Sequence, residues 1–303
     1  MNHISINLSE NIPKHYSIDY VNIDIDKDQK LFLDPMLIEK DTTEFGVIAN
    51  RKITSFFREM YRLYKNNSPR QEKLNLFSHC HEINSTHLGY AVTGSGSGNT
   101  PEGMELIFSG VTNYIKDFNL NRTYEAVLFT PNFAEDGLSD LITNIIFKEL
   151  SDFTISQCRK YGYPTIYSDN NRYYWDDASN DWKKYNGESL LINGKEILLV
   201  PKQIVQTKYR FTTDNYIRSV IVENICKDKA IYDSKGNEIR PPKDKIREEL
   251  LINYGSPFDV STHFTRKKPS NLDEYYSIIS RNYNNFILSD SQLDAIIYNS
   301  SVN

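Results

Sequence analysis

The chain has 303 residues, a mass of 35.3 kDa, a formal charge of −5 and a pI near 5.8. That length can bury a real core without covalent staples. The three cysteines, Cys80, Cys158 and Cys226, lie far apart with no CxxC, which excludes a disulfide framework and a cysteine-rich zinc ribbon. No window approaches the ~18 apolar residues of a membrane span, and no basic-then-apolar leader follows Met1, so the expectation is a soluble, cytoplasmic protein.

In chain order, Leu31-Phe32-Leu33 reads as a short buried strand stopped by Asp34-Pro35, after the acidic stretch Asp24 to Asp28. Ile53, Phe56, Phe57, Met60 and Leu63 predict a helix over Ile48 to Tyr64, and a second helix follows from Gln71 to about Ile83. The only glycine-rich stretch, Gly94-Ser95-Gly96-Ser97-Gly98, then leads to a helix over Met104 to Phe118, capped by Thr100 with Pro101 in its first turn. Glu125–Thr130 reads as a strand. Leu138, Leu141, Ile142, Ile145, Ile146, Leu150 and Phe153 predict one long helix from Leu138 to about Tyr161.

Strands follow at Thr165–Tyr167, Arg172–Trp175, Trp182–Tyr185, Ser189–Ile192 and Lys195–Val200, with Asn193-Gly194 as a two-residue hairpin turn. Helices resume at Thr213, are broken by Gly236 and Pro241-Pro242, and return over Lys243–Tyr254 and 273–299. The expected fold class is therefore mixed α+β, a small central sheet with hairpins flanked by helices. Residues 1–226 form the core domain, and a mainly helical region, 227–303, packs on it.

Three carboxylates, Glu135, Asp136 and Asp140, stand at the head of the long helix. Its period leaves Asp136, Asp140 and Asn144 in one row off the apolar face, and hard oxygens in such a row suit Mg2+ or Mn2+. Capping and the helix dipole are the competing account of these acids. Glu82, on an earlier helix, is a candidate to complete the metal site. His79, Cys80, His81 and His87 could suit a softer metal, or mark a helix terminus with polar packing.

The glycine loop, through Gly96 and Gly98, could cradle a phosphate, although it lacks the lysine of a Walker motif; a flexible lid is the alternative. Residues 201–268 carry 14 Lys and Arg against 9 Asp and Glu, so Lys202, Lys208 and Arg210 could grip a nucleic-acid backbone, solvated helix faces being the other reading. Tyr173-Tyr174-Trp175 and Trp182 gather aromatic rings on one hairpin, suited to base stacking or to core packing.

An acidic residue, an aspartate, and then the strand Lys195-Glu196-Ile197-Leu198-Leu199-Val200-Pro201-Lys202 ending in a lysine together resemble the PD-(D/E)xK nucleases. The resemblance covers about residues 75–210. It implies carboxylates that hold magnesium and a lysine, Lys202, that positions the attacking water. The residue two before Lys202 is Val200 rather than an acid, so the missing ligand would come from Asp140, Glu196 or Glu82.

The chain also resembles bacterial restriction and antiphage-defence proteins in general character. The resulting expectation is a magnesium-dependent nuclease cleaving DNA, with Asp136, Asp140 and Lys202 as catalytic residues and Glu82, Glu135, Asp136 and Asp140 as metal ligands. A non-catalytic sensor or adaptor, binding a partner protein of a defence operon or a nucleotide through Gly94–Gly98, is the alternative. Homo-oligomers are compatible with both.

Overall fold

The computed structural model describes residues 4, 14–81, 83–90, 100–110, 120, 122–131, 133, 135–168 and 171–299. Small antiparallel sheets lie among helices, the mixed α+β class expected. Helix α1 (Pro35–Lys40) follows strand β1 (Phe32–Leu33), and the buried Asp34 caps it by accepting the Met36 and Leu37 amides. Burial raises the Asp34 carboxyl to about 6, against hydrogen bonds from Tyr283 and these two amides.

Helix α2 (Glu44–Lys65) is capped by Thr43 and buries Ile53, Phe56, Phe57, Met60 and Leu63, the positions its period selects. Helix α3 (Arg70–Leu76) ends earlier than its sequence suggests, and α4 (Pro101–Ser109) carries the Thr100 cap and Pro101 at its start. The rest of the expected helix, residues 111–118, lies outside the described residues.

Two elements differ from the sequence expectation. Thr123–Phe129 is a 3-10 helix rather than a strand. Its run Ala126 to Phe129 is apolar without alternation, a pattern shared by buried strands and buried helical turns, and the Arg122–Glu125 capping box decides for the turn. The long helix is two: α5 (Glu135–Ile145) and α6 (Phe147–Tyr161), interrupted at Ile146 with φ −102° and ψ 25°. Just before the break, Thr143 and Asn144 bond back to the carbonyls of Ser139 and Asp140, a competition that bends helices.

Strands β2 (Ile166–Ser168), β5 (Gly187–Ile192) and β6 (Lys195–Ile197) form a three-stranded sheet, order β2-β5-β6, with Asn193 (φ 53°) and Gly194 (φ 78°) turning β5 into β6. Strands β3 (Tyr173–Asp176) and β4 (Asp181–Lys184) form the expected hairpin, with Trp175 facing Trp182. Its rings go largely into the core: Trp175 is buried against Phe56 and donates to Ser55, Trp182 donates to the Leu76 carbonyl, and Tyr173 stacks on His79 at 3.6 Å. Strand β7 (Val205–Gln206) pairs with β1.

Beyond Thr213, α7 (Thr213–Tyr216) runs through a π-helical stretch, Ile217–Ile221, into α8 (Val222–Asp228). The hairpin of β8 (Ile231–Tyr232) and β9 (Glu238–Ile239) precedes four helices, α9 (Lys243–Tyr254), α10 (Pro257–Lys267), α11 (Asn271–Ser280) and α12 (Asp290–Asn299). This region is anchored on the preceding one by polar side chains. Tyr275 donates to the Arg210 and Thr212 carbonyls, Tyr283 to Asp34, and Asp294 accepts the Nδ1–H of the fully buried His15 at 2.7 Å. The other ring nitrogen of His15 accepts the Asn22 amide, and burial lowers the His15 pKa, so the ring is neutral and serves the fold.

Candidate functional site

The row on α5 meets a definite partner. Asn144 Nδ2 donates to the His81 carbonyl at 2.6 Å, and Asp136 Oδ1 accepts the Tyr90 amide at 3.3 Å, so the α5 face carrying Asp136 and Asn144 meets the segment 81–90 at its two ends, His81 and Tyr90. That segment is held from its other sides. The Gln29 amide donates to the His87 carbonyl, the Gly89 amide to the Gln29 carbonyl, and the Leu198 amide to the Ser85 carbonyl. Gly89 adopts φ +132°, and a Cβ on it would stand 2.6 Å from Asp136 Oδ1, so both the conformation and the approach require glycine.

The pairing with Gln29 brings Asp28 and Lys30 to the same seam. Lys30 lies 5.5 Å from the Tyr90 ring, and Asp28 lies 3.7 Å from His87. The Asp136 carboxyl is raised above the ordinary range, first by burial and then by the charges of Asp28 and Glu135, with the Tyr90 amide opposing. Asp28 was legible only as part of an acidic loop; its place here depends on a bridge between residues 29 and 88 that no local pattern encodes.

Several expected members lie elsewhere. Lys202 does not end a strand: β6 stops at Ile197, Pro201 intervenes, and Lys202 opens a 3-10 turn, Lys202–Ile204, which breaks the period-two reasoning. Its amino group binds the His15 carbonyl at 2.7 Å and Asp290 at 2.6 Å, partners that the acidic row does not share. Glu196 is engaged by Arg172, Ser85 and Ser189.

Glu135, whose charge acts on Asp136, also lines a cavity of about 240 Å3 with Tyr209, Phe211 and Asp214. Glu82, Gly96 and Gly98 lie outside the described residues. Lys208 and Arg210 are exposed, Arg210 resting 4.6 Å from the Phe286 ring. Much of the basic surplus nearby is in ion pairs, such as Arg218–Asp244 and Arg247–Asp214. Among the described residues no three His, Cys, Asp or Glu side chains form a metal-holding group, and His79, His81 and His87 all have pKa values lowered chiefly by burial.

A second polar place was missed by the sequence reading. Between α2, α6 and the β3–β4 hairpin opens a cleft of about 800 Å3, which shares Lys148, Asp152 and Tyr174 with an adjoining groove of about 600 Å3. Lys52 and Glu149, with side chains 6% and 7% exposed, pair there at 3.0 Å, and the Lys52 amine lies 4.5 Å from the Tyr174 ring. Burial raises the Glu149 carboxyl, opposed by Lys52. Its second oxygen, Oε2, has no hydrogen-bond partner among the described residues. A signal for this place exists in the sequence: Lys52 and Glu149 occupy apolar-stripe positions, beside Ile53 and Phe56 on one helix and Leu150 and Phe153 on the other.

The architecture is thus a mixed α+β protein with a polar seam at the head of α5 and a charged cleft over α6. A family model described as a domain of unknown function, DUF8370, matches residues 11–212, about two thirds of the chain and the whole of both places, and the chain belongs to that family. No curated protein and no solved structure matches.

Proposed function

We propose that the protein is a magnesium-dependent nuclease whose site is the seam between α5 and the segment 81–90. The observation that carries this reading is the pair of contacts Asn144 to His81 and Tyr90 to Asp136. They tie His81 and Tyr90 to the α5 face that carries the acidic row. Magnesium commonly takes one or two carboxylates and completes its shell with water and substrate phosphate, so Asp136, with Asp140 one turn further along α5, would hold it without a third protein ligand.

The raised Asp136 carboxyl, crowded by like charges, is a group that a cation would relieve. Once bound, the ion would polarise the scissile phosphate and lower the pKa of water. The chain's own part is orientation: the Tyr90 amide fixes Asp136, and Asn144 holds the 81–90 backbone on the row. Lys202 is released from the role that the nuclease resemblance implied; Lys30, beside Tyr90, is a cation at this seam. The resemblance to restriction nucleases supports a place in antiphage defence.

The test is plasmid degradation in Mg2+ or Mn2+ against EDTA, with Mn2+ binding followed by calorimetry. Asp136→Asn and Asp140→Asn are expected to abolish both signals while the thermal transition stays cooperative. Full cleavage in both variants sinks the proposal. A second reading, a non-catalytic sensor or adaptor, draws support from the ion-paired basic residues, which leave less free charge to hold DNA. It is expected to show no metal-dependent cleavage, and ligand binding that fails in Gly96→Ala/Gly98→Ala.

A further inference from the structure

The cleft over α6 has a composition that selects its occupant. Three bases line it, Arg51, Lys52 and Lys148, against five acids, Glu44, Glu149, Asp152, Asp176 and Asp177. Arg51 holds Asp177 at 2.6 Å, Lys148 holds Asp152 at 2.5 Å, and Lys183, outside the lining, holds Asp176 at 2.6 Å. With Lys52 holding Glu149 at 3.0 Å, the acid left over is Glu44, while the Oε2 of Glu149 lies buried with no donor among the described residues.

Aromatic groups complete the lining, with Phe45 and Phe153 edge to face at 5.9 Å and Tyr174 beyond them. A polyanion would find the three bases already paired and would meet the acid of Glu44. A buried carboxylate oxygen left without a donor is costly, and native proteins keep such groups where a ligand or water supplies the missing bond. A cation with N–H donors on a hydrocarbon stem satisfies all three features, as donor to the carboxylate, as counter-charge, and as a partner for aromatic faces.

We propose that this cleft binds an alkylammonium or guanidinium ligand, its N–H groups set at the acidic lining of Glu44 and Glu149 and its stem lying against Phe45, Phe153 and Tyr174. The site is separate from the seam on α5, and its ligand would act on the protein whether or not the seam cleaves DNA.

The experiment is calorimetry on the full chain with 1,6-diaminohexane, spermidine and argininamide, with 1,6-hexanediol and tetramethylammonium as probes lacking the charge and the N–H donors. The amines are expected to bind saturably, and the two control probes at least about tenfold more weakly. Ser156, exposed on the cleft wall, permits a blocking variant that leaves the floor intact; Ser156→Arg is expected to abolish amine binding with an unchanged thermal transition. Glu149→Gln is expected to weaken the amines about tenfold or more. Absence of saturable amine binding, equal affinity for hexanediol, or full affinity in Ser156→Arg would each overturn the proposal.

Discussion

The seam and the cleft are both polar places built on one broken helix, and they are made in opposite ways. In the seam, side chains of α5 bond to backbone: Asn144 to a carbonyl, Asp136 to an amide, with Gly89 removing the atom that would keep them apart. In the cleft, two oppositely charged side chains are buried against each other, and the backbone takes little part. A seam of the first kind fixes the geometry of a chain segment and so suits positioning. A pair of the second kind keeps charge in a poorly solvated wall and so suits recognition.

The sharpest way to separate the two is by what each loses when one partner is removed. Lys52→Met strands the buried Glu149 carboxylate and is expected to lower stability by about 3–5 kcal/mol in urea unfolding, while Lys52→Met/Glu149→Leu recovers most of it. Equal losses in the single and double variants would mean that packing rather than charge carries the cleft.

Next in size is a pH effect beside the seam, at Asp34, which directly follows strand β1, itself bonded to α5 from the Leu33 amide to Ser139. With its carboxyl raised to about 6, the native state keeps a proton that the unfolded chain releases near 4. Its contribution is therefore full below that lower value and is lost as pH rises through 6. Asp34→Asn, which keeps the Oδ1 cap, is expected to gain on the wild type between pH 4 and 6, reaching about 2–3 kcal/mol and levelling off above. A stability difference flat across pH 4–7 would refute the raised carboxyl.

Gly89→Ala is expected to cost about 1–3 kcal/mol and to impair any Asp136-dependent cleavage. Part of the stability loss should return in Gly89→Ala/Asp136→Ala, because the clash partner is gone. Smallest is Lys202→Ala: a half-exposed ion pair with Asp290 is worth no more than about 1 kcal/mol, and cleavage should be unchanged. Loss of cleavage there would return the lysine to the site and break the contrast drawn between its location and the seam.

Elements with an uninterrupted apolar period were legible in the sequence: α2, both hairpins from β3 to β6, and the Asn193-Gly194 turn fall close to where pattern puts them. Failures came where local pattern is silent. The run Ala126 to Phe129 is apolar on every side, so its period could not choose between strand and 3-10 helix. The break at Ile146 depends on how Thr143 and Asn144 direct their side chains. The row Asp136, Asp140, Asn144 was legible because it follows a helical period, whereas Asp28 and Lys30 reach it through a bridge between distant residues. Lys202 misled because a strand was extended by alternation past Pro201, where the backbone turns.

The bond from His15 to Asp294 also bears on how the protein can be divided. His15 lies within the stretch that the family model matches, yet its carboxylate partner lies on α12, more than eighty residues past residue 212, and Asn22 likewise donates to Tyr298 on that helix. An excised fragment ending at 212 would present a dry imidazole and a dry amide to water, the imidazole also losing the Tyr298 ring that lies 5.6 Å from it. Such a fragment should aggregate or require detergent, so the limits of sequence similarity here are not the limits of an autonomous folding unit.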